Sequence, residues 1–266
     1  MSTRVIAIIG AVIFVSGMFG GVVLERIDAS LSNENEQNFS IEVDDSEGTN
    51  LYSLIEVDDG DNDEEEQITW VLHEFKFSSN GAGDAITWDF GDGTTASGSS
   101  ISHQFTSSGT FLITATSISS DKVETASIEV IVNRDSFAEA DNMECSCAPT
   151  GKDTVIDLVA LTGKQSIQGF VQVEHDGSSE SCTLRNPLQE CHIRVILQRT
   201  EQGEIVSEEI LFDDTFRSNE KVVDFELPEL EFSQGESIQL RLETDQLRDW
   251  HKPTAEWSVI IPTIDS

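Results

Sequence analysis

The side chains in this 266-residue sequence that could do chemistry fall into three short stretches. In the first, "ITWDFGDGTT", Asp89 and Asp92 stand among aromatic residues and glycines, and His103 follows shortly afterwards. A carboxylate and a histidine act as an acid–base pair when they are placed against a nucleophile. No serine or cysteine with a positioned base is apparent near this stretch, so we predict no catalytic residue and no enzymatic activity.

The second stretch is an acidic run in which Asp59, Asp61 and Asp63 place a carboxylate at every second position, as a calcium-binding loop does. The turn glycine expected after the third carboxylate is absent, and Trp70 stands where a glutamate would close a loop of about twelve residues. We therefore interpret the run as solvated acid and predict no metal or other cofactor. Calcium remains the alternative ligand for these three residues.

The third group consists of the four cysteines, Cys145, Cys147, Cys182 and Cys191. Outside a membrane, four cysteines predict two disulfides first. Two pairings remain open: the first two each bridge to one of the last two, or the last two pair as a hairpin and leave the C-x-C pair free or intermolecular. Together with Met143 and His192 the cysteines also resemble a soft-metal site, but C-x-C is tighter than the usual zinc spacing of about two to four residues.

The elements that position these groups begin with an apolar N-terminus. Val5 to Leu24 is a run of twenty residues without charge, and at ~1.5 Å per residue such a helix covers the ~30 Å core of a bilayer. No convincing cleavage site precedes Arg26, so we predict an uncleaved signal anchor over residues 1–26, with the N-terminus cytoplasmic and the bulk of the chain extracytoplasmic. Gly17 and Gly21 lie on one helix face, where they would allow a homodimer.

A strongly acidic segment follows the predicted anchor. The chain has 15 basic and 50 acidic residues, a net charge of -35, which disfavours nucleic acid as a partner. From Ile27 to Phe75 there is no Lys or Arg, while sixteen residues are Asp or Glu. Such a composition predicts an extended low-complexity stalk, which we place at residues 27–67. The echo of "SIEVDD" in "LIEVDD" leaves a hairpin between these two segments open.

Alternating apolar residues then predict strands in "ITWVLHEFKF", "DAITWDF", "GTFLITATS" and "KVETASIEVIV". In the third of these, Phe111, Ile113 and Ala115 share one face. Several short strands without a helical period predict a small β-sandwich at residues 68–133.

The motifs of this segment resemble a PKD-type domain (polycystic kidney disease repeat), whose pattern is W-D-F-G-D-G, then H-x-Y, then G-x-Y-x-V. The sequence has "WDFGDG", then "HQF", then "GTFLITA", with Phe105 and Phe111 where tyrosine is usual. The resemblance implies an immunoglobulin-like sandwich that serves extracellular proteins as a spacer or binding module. We predict structural roles in the core and turn for the motif residues Trp88, Asp89, Phe90, Gly91, Asp92, Gly93, His103 and Phe105.

Alternation returns between Thr154 and Pro262, where about seven strands predict a second antiparallel sandwich, immunoglobulin-like or jelly-roll, at residues 153–264. A cysteine-containing linker at 134–152 would join the two sandwiches. Trp257 alternates with apolar residues and is predicted to be core. Trp250, in "RDWHKP", is the candidate exposed aromatic for contact with a ligand.

The sequence therefore predicts an all-β fold of two tandem antiparallel sandwiches that follow a membrane helix and an acidic stalk. This architecture favours a membrane-anchored extracytoplasmic binding or adhesion protein, in which the PKD-type domain is a scaffold and the distal sandwich contacts a cell-surface protein or glycan. Two alternatives remain: an accessory or catalytic component acting on an extracellular polymer, and a structural cell-envelope protein.

Overall fold

The computed structural model describes residues 38–58, 64–140, 153–175, 191–216, 218, 220–243 and 251–262. In this part of the chain the secondary structure is all β, as predicted. The strands are β1 (Ser40–Val43), β2 (Glu47–Asp58), β3 (Glu64–Val71), β4 (Phe75–Asn80), β5 (Ala85–Asp89), β6 (Thr95–Ser97), β7 (Ser100–His103), β8 (Gly109–Ile118), β9 (Val123–Glu139), β10 (Asp153–Asp157), β11 (Gly163–His175), β12 (Cys191–Glu201), β13 (Glu204–Phe216), β14 (Glu220–Phe232), β15 (Glu236–Glu243) and β16 (His251–Ile260).

The first sandwich packs a small sheet, β1-β4-β7, against the β9-β8-β5-β6 part of a large sheet. Alternation builds its core, because every second side chain of a strand points to the same face. In β5, for example, Ile86 and Trp88 are buried between exposed neighbours. The buried cluster consists of Phe39, Phe75, Phe77, Ile86, Trp88, Phe90, Phe105, Ile113, Ala115, Val130 and Val132.

The second sandwich packs the sheet β10-β15-β12-β13 against β14-β11-β16-β9 of the large sheet, which β2 and β3 extend beyond β9. Its core contains Val171, Leu240 and Trp257, and the indole Nε1 of Trp257 donates a hydrogen bond to the Leu158 carbonyl at 2.9 Å. Trp257 is therefore a core residue, as its alternation predicted. The two packed sandwiches confirm the predicted fold class.

Strand β9 belongs to both sandwiches. Val130 and Val132 pack in the first core, while Ala138 on the same face packs in the second. Arg134 lies on this face between the two cores and is 1% exposed. The residues expected to begin a linker at 134 therefore continue β9 as far as Glu139. Gln37–Ser266 form one compact unit, and the two cores share this strand.

The structure also differs from the expected stalk at residues 27–67. Ser40–Val43 pairs with β4, and Glu47–Asp58 pairs in parallel with β9 and in antiparallel with β3. The hairpin left open between the two "IEVDD" segments does not form, since each segment pairs with another strand. Average charge is a poor guide here, because Tyr52 is buried in the second core although its segment is acidic.

A buried amide further ties β2 to the first sandwich. The side chain of Asn50 is fully buried, donates to the Phe105 carbonyl at 2.9 Å and accepts from the His73 backbone N–H at 2.9 Å. Buried polar groups require such partners. Strand β2 is thus fastened to both sandwiches.

Within the described residues, no helix is long and apolar enough to cross a membrane. The predicted span at 5–24, together with Gly17 and Gly21, lies outside these residues.

Candidate functional site

The WDFGDG motif forms the turn after β5 and closes one end of the first core. The indole Nε1 of Trp88 donates to the Gly98 carbonyl at 2.8 Å, and the Asp89 carboxylate accepts from the Gly91 N–H at 3.0 Å. Gly91 has a positive φ of 76°, and a Cβ there would lie 2.9 Å from the Leu112 carbonyl oxygen. Glycine is required at this position by both conformation and space.

Asp92 and His103 join the motif turn to β7. The Asp92 carboxylate lies 2.7 Å from His103 Nε2 and accepts from the Thr94 N–H at 2.9 Å and the Thr94 hydroxyl at 2.6 Å. The His103 ring stacks on Phe90, with centroids 3.8 Å apart. Burial raises the pKa of Asp92, but the hydrogen bonds from Thr94 and His103 outweigh burial and lower the pKa below its ordinary value. These contacts are those of a turn at the core edge.

Replacing Asp92 with alanine is expected to lower the free energy of unfolding by about 1 to 2 kcal/mol, because three donors lose their acceptor. Since the folded pKa is lowered, the stabilisation from ionised Asp92 is present above the unfolded pKa of about 3.9 and is lost as pH falls through the folded value. Thermal unfolding across acidic pH measures both effects. Asp92→Asn, which keeps an acceptor, should lose less; unchanged stability in Asp92→Ala would overturn the structural interpretation.

The outer face of the second sandwich carries a different kind of surface. Residues directly opposite each other on neighbouring strands point to the same side of a sheet, so the register places side chains in rows. The first row, across β14, β11, β16 and β9, is Asp224, Phe170, Glu256 and Phe137. The second row, across the same strands, is Glu226, Gln168, Ser258 and Asp135. Carboxylates therefore alternate with rings in one row and stand at both ends of the other.

All residues of these two rows except Phe137 line a groove of about 660 Å³. Strand β11 forms the floor, with Gln168, Gly169 and Phe170, while carboxylates from β14 and from β16 and β9 line its two sides. Asp224 and Glu256 are exposed, and Phe170 is partly buried. We call this surface the sheet-face groove.

An apolar surface adjoins the groove on β9, β2 and β3. Leu51 and Val71 lie opposite each other and are 49% and 57% exposed, and Phe137 lies beside them in a second depression of about 390 Å³. Asp135 and Glu256 line both depressions. Exposed apolar side chains grouped with polar ones in this way mark interaction surfaces.

On the opposite sheet of the second sandwich, carboxylates form ion pairs with basic residues of the same sheet. Asp213 lies 2.8 Å from His192 Nε2 and 2.9 Å from Arg194 Nε, and Glu243 lies 2.8 Å from Arg241. Hydrogen bonds from His192 and then Arg194 lower the pKa of Asp213. These acids thus already have basic partners within the chain.

Among the described residues that line the groove, none is such a cation. Neither row contains Lys or Arg, and among the residues that the structure describes no ion pair involves Asp224, Glu226 or Glu256. Asp135 accepts a hydrogen bond from the Ser258 hydroxyl at 2.6 Å. The groove is therefore an acidic, partly aromatic surface.

Several residues singled out from the sequence lie outside the described residues: Asp59, Asp61, Asp63, Cys145, Cys147, Cys182 and Trp250. Cys191 begins β12, but its side chain is not described. In the described part of the chain no group of three or more His, Cys, Asp and Glu residues could hold a metal ion.

The groove residues were not singled out from the sequence. They lie on four strands, and Asp135 and Phe137 fall where a linker was expected. A local signal does exist in "IQGFVQVE", where Gln168, Phe170 and Gln172 form the outward phase of an alternating strand. It places a ring among polar positions but does not reveal the carboxylates beside it.

The described fold defines a tandem β-sandwich protein with a candidate binding groove on one sheet. Residues 55–132 match the family model of the PKD domain, which confirms the resemblance of the motif segment. The match begins within β2, so it includes β3, a strand that extends the sheet of the second sandwich.

No curated protein matches the sequence. Among solved structures, one of carbohydrate-binding modules of the β-sandwich superfamily is 9% identical, with 70% of this chain and 92% of that chain covered and a TM-score of 0.23. An infectious bursal disease virus structure (Gx strain) is 11% identical, with 81% and 56% covered and a TM-score of 0.31. Bacteroides uniformis β-glucuronidase is 7% identical, with 84% and 30% covered and a TM-score of 0.27. This chain thus spans about half of the viral chain and a third of the glucuronidase. These likenesses are too distant to carry a functional argument.

Proposed function

We propose that this protein is an extracytoplasmic binding or adhesion protein, held at the membrane by residues 5–24 with its N-terminus in the cytoplasm. The first sandwich serves as a scaffold, and the sheet-face groove of the second contacts a cell-surface protein or glycan. The observation that carries the proposal is the grouping of exposed acidic and aliphatic side chains with partly buried aromatic ones on one outer sheet face.

The shared strand supports the role of the first sandwich. Because β9 runs through both cores, one continuous strand joins the groove to the PKD segment. A rigid sheet presents side chains with less loss of conformational entropy on binding than a loop does. The first sandwich thus supports the groove within one compact unit, Gln37–Ser266.

A cell-binding experiment tests the proposal. The full chain in a non-ionic detergent, with a fluorescent label, would be added to cells and isolated envelopes with and without calcium. We expect saturable binding that the double variant Phe170→Ala/Glu256→Ala reduces about tenfold or more. Leu112→Ser, an exposed change on the first sandwich, is the matched control. Absence of binding, or equal binding by the groove variant, would contradict the proposal.

We also propose that the protein does not catalyse a reaction. The alternative is that the groove carboxylates act on an extracellular polymer, which requires an acid and a base or nucleophile that converge on one bond. Incubation with oligosaccharides and peptides, followed by mass spectrometry, separates the two. Product formation that is lost in Glu256→Gln would replace binding by catalysis as the function of this groove.

A further inference from the structure

We propose that the sheet-face groove recognises arginine side chains of an extended basic segment in a partner protein, with one guanidinium seated on Phe170 between Asp224 and Glu256. The inference rests on the proposed function, since it names the partner of the same groove.

The register supplies the geometry of such a seat. Phe170 on β11 lies directly opposite Asp224 on one side and Glu256 on the other. Neighbouring strands are ~4.8 Å apart, so the backbone positions of the two acids flank that of Phe170 at about that distance on either side. A cation over the face of an aromatic ring is attracted by its quadrupole, and carboxylates at the ring edge add hydrogen-bond acceptors.

The arrangement is repeated along the row. Phe137 on β9 follows Glu256, so the order is carboxylate, ring, carboxylate, ring. The two rings are carried by strands two apart in the sheet, whose backbones are separated by ~9.6 Å. One segment lying across the strands can therefore present two guanidinium groups to the row, with Glu256 between them.

Charge favours a cationic partner over a neutral glycan. Two more carboxylates, Glu226 and Asp135, lie at the ends of the second row, and neither row holds a Lys or Arg. The net charge of -35 adds a long-range field that accelerates the approach of a basic partner. A neutral glycan would gain nothing from this field.

Arginine suits the groove better than lysine. The guanidinium is planar and stacks on a ring while its fork of N–H groups reaches acceptors at the ring edge. Gly169, between Gln168 and Phe170 on β11, lines the groove through its backbone, so the stem of an incoming residue meets backbone there.

The test uses the full chain in non-ionic detergent and a fluorescent peptide that alternates glycine and arginine. A second peptide carries citrulline, which has the same shape without the charge, and a third probe is a neutral hexasaccharide. Binding is measured by fluorescence anisotropy or calorimetry. We expect the arginine peptide to bind, the citrulline peptide and the hexasaccharide not to bind, and the affinity to fall about tenfold or more as salt rises to about 0.5 M.

Matched variants separate the groove from general attraction to an acidic protein. Glu256→Gln and Asp224→Asn each remove one charge and keep the shape, and Phe170→Leu removes the ring; we expect a loss of affinity of about tenfold for the acids and about fivefold for the ring. Glu129→Gln removes the same charge from the first sandwich. Because this residue is distant from the groove, we expect the affinity to change less than about twofold. Circular dichroism shows whether each variant is folded.

Each outcome decides the inference. Equal weakening by Glu129→Gln and Glu256→Gln would show diffuse attraction, and equal binding of the citrulline peptide would remove the role of charge; either overturns it. Binding of the hexasaccharide with dependence on Phe170 would leave the groove as a binding site but overturn its arginine chemistry. If no probe binds although the cell-binding experiment succeeds with groove dependence, the arginine inference alone fails.

Discussion

Replacing Arg134 with methionine is expected to lower the free energy of unfolding by about 3 kcal/mol, a large part of the stability of an ordinary domain. Arg134 is 1% exposed and lies where β9 passes from one core to the other. Its Nε donates to the Ser136 hydroxyl at 3.1 Å, and one terminal nitrogen donates to the carbonyls of Leu158 and Val159. Methionine fills much of the space but supplies no donor.

The two carbonyls that would lose their donor, those of Leu158 and Val159, lie in the loop between β10 and β11. This loop connects the two sheets of the second sandwich. Val159 has a positive φ of 50°, an uncommon conformation for a β-branched residue. Its N–H is held by the Asp157 carboxylate at 2.7 Å, and its carbonyl by Arg134. Without the guanidinium, this strained turn loses one of its two restraints.

Burial lowers the pKa of Arg134 to about 10, so the guanidinium keeps its charge at neutral pH. Because the folded pKa lies below the unfolded one, the unfolded state holds this proton more tightly, and the group's contribution to stability rises only as pH passes above about 10. The comparison of variants at neutral pH therefore measures the hydrogen bonds and packing of a charged Arg134.

Urea unfolding followed by tryptophan fluorescence measures the effect of Arg134→Met. Arg194→Met is the matched control, since it removes an arginine that makes exposed ion pairs on β12 and should cost much less. Arg134→Lys keeps the charge but not the fork, and should fall between wild type and Arg134→Met. Wild-type stability in Arg134→Met would mean that the desolvation of the guanidinium cancels its hydrogen bonds.

The first sandwich could be predicted from the sequence largely because its signals are local. The signals are the buried Ile86 and Trp88 of an alternating strand and the turn glycines Gly91 and Gly93. All four lie within a few residues of each other. The burial of Trp257 followed from the same kind of alternation.

The parts that could not be predicted depend on pairing between distant strands. Tyr52 lies opposite Ser136 in the parallel pair of β2 and β9, across more than eighty residues of sequence. The acidic composition predicted a stalk at Tyr52. The residues around Tyr52 alternate as in a strand, but the partner of that strand, β9, is distant in the sequence. The sheet-face groove was missed for the same reason, since periodicity shows which face Phe170 occupies but not that Glu256 and Asp224 lie beside it.

Gly169→Ala is expected to lower the free energy of unfolding by about 3 kcal/mol, at the upper end of the usual cost of overpacking. Gly169 lies in β11 opposite Trp257 of β16 and Phe225 of β14. A Cβ at this position would be 2.2 Å from the Glu256 carbonyl oxygen and 2.7 Å from the Trp257 Cα. Both atoms belong to backbone, so no flexible side chain can move aside, and β16 must shift away from β11.

The shift would act on both sides of the sheet. On the inner side it moves Trp257, whose indole donates to the Leu158 carbonyl in the core. On the outer side it widens the spacing between Phe170 and Glu256, which the proposed arginine seat requires to be one strand spacing. Thermal unfolding by circular dichroism measures the first effect, and Gln168→Ala, an outward-facing change in the adjacent residue, is the control. A melting temperature of Gly169→Ala equal to that of wild type would contradict the prediction and show that β11 and β16 tolerate a wider separation without loss of stability.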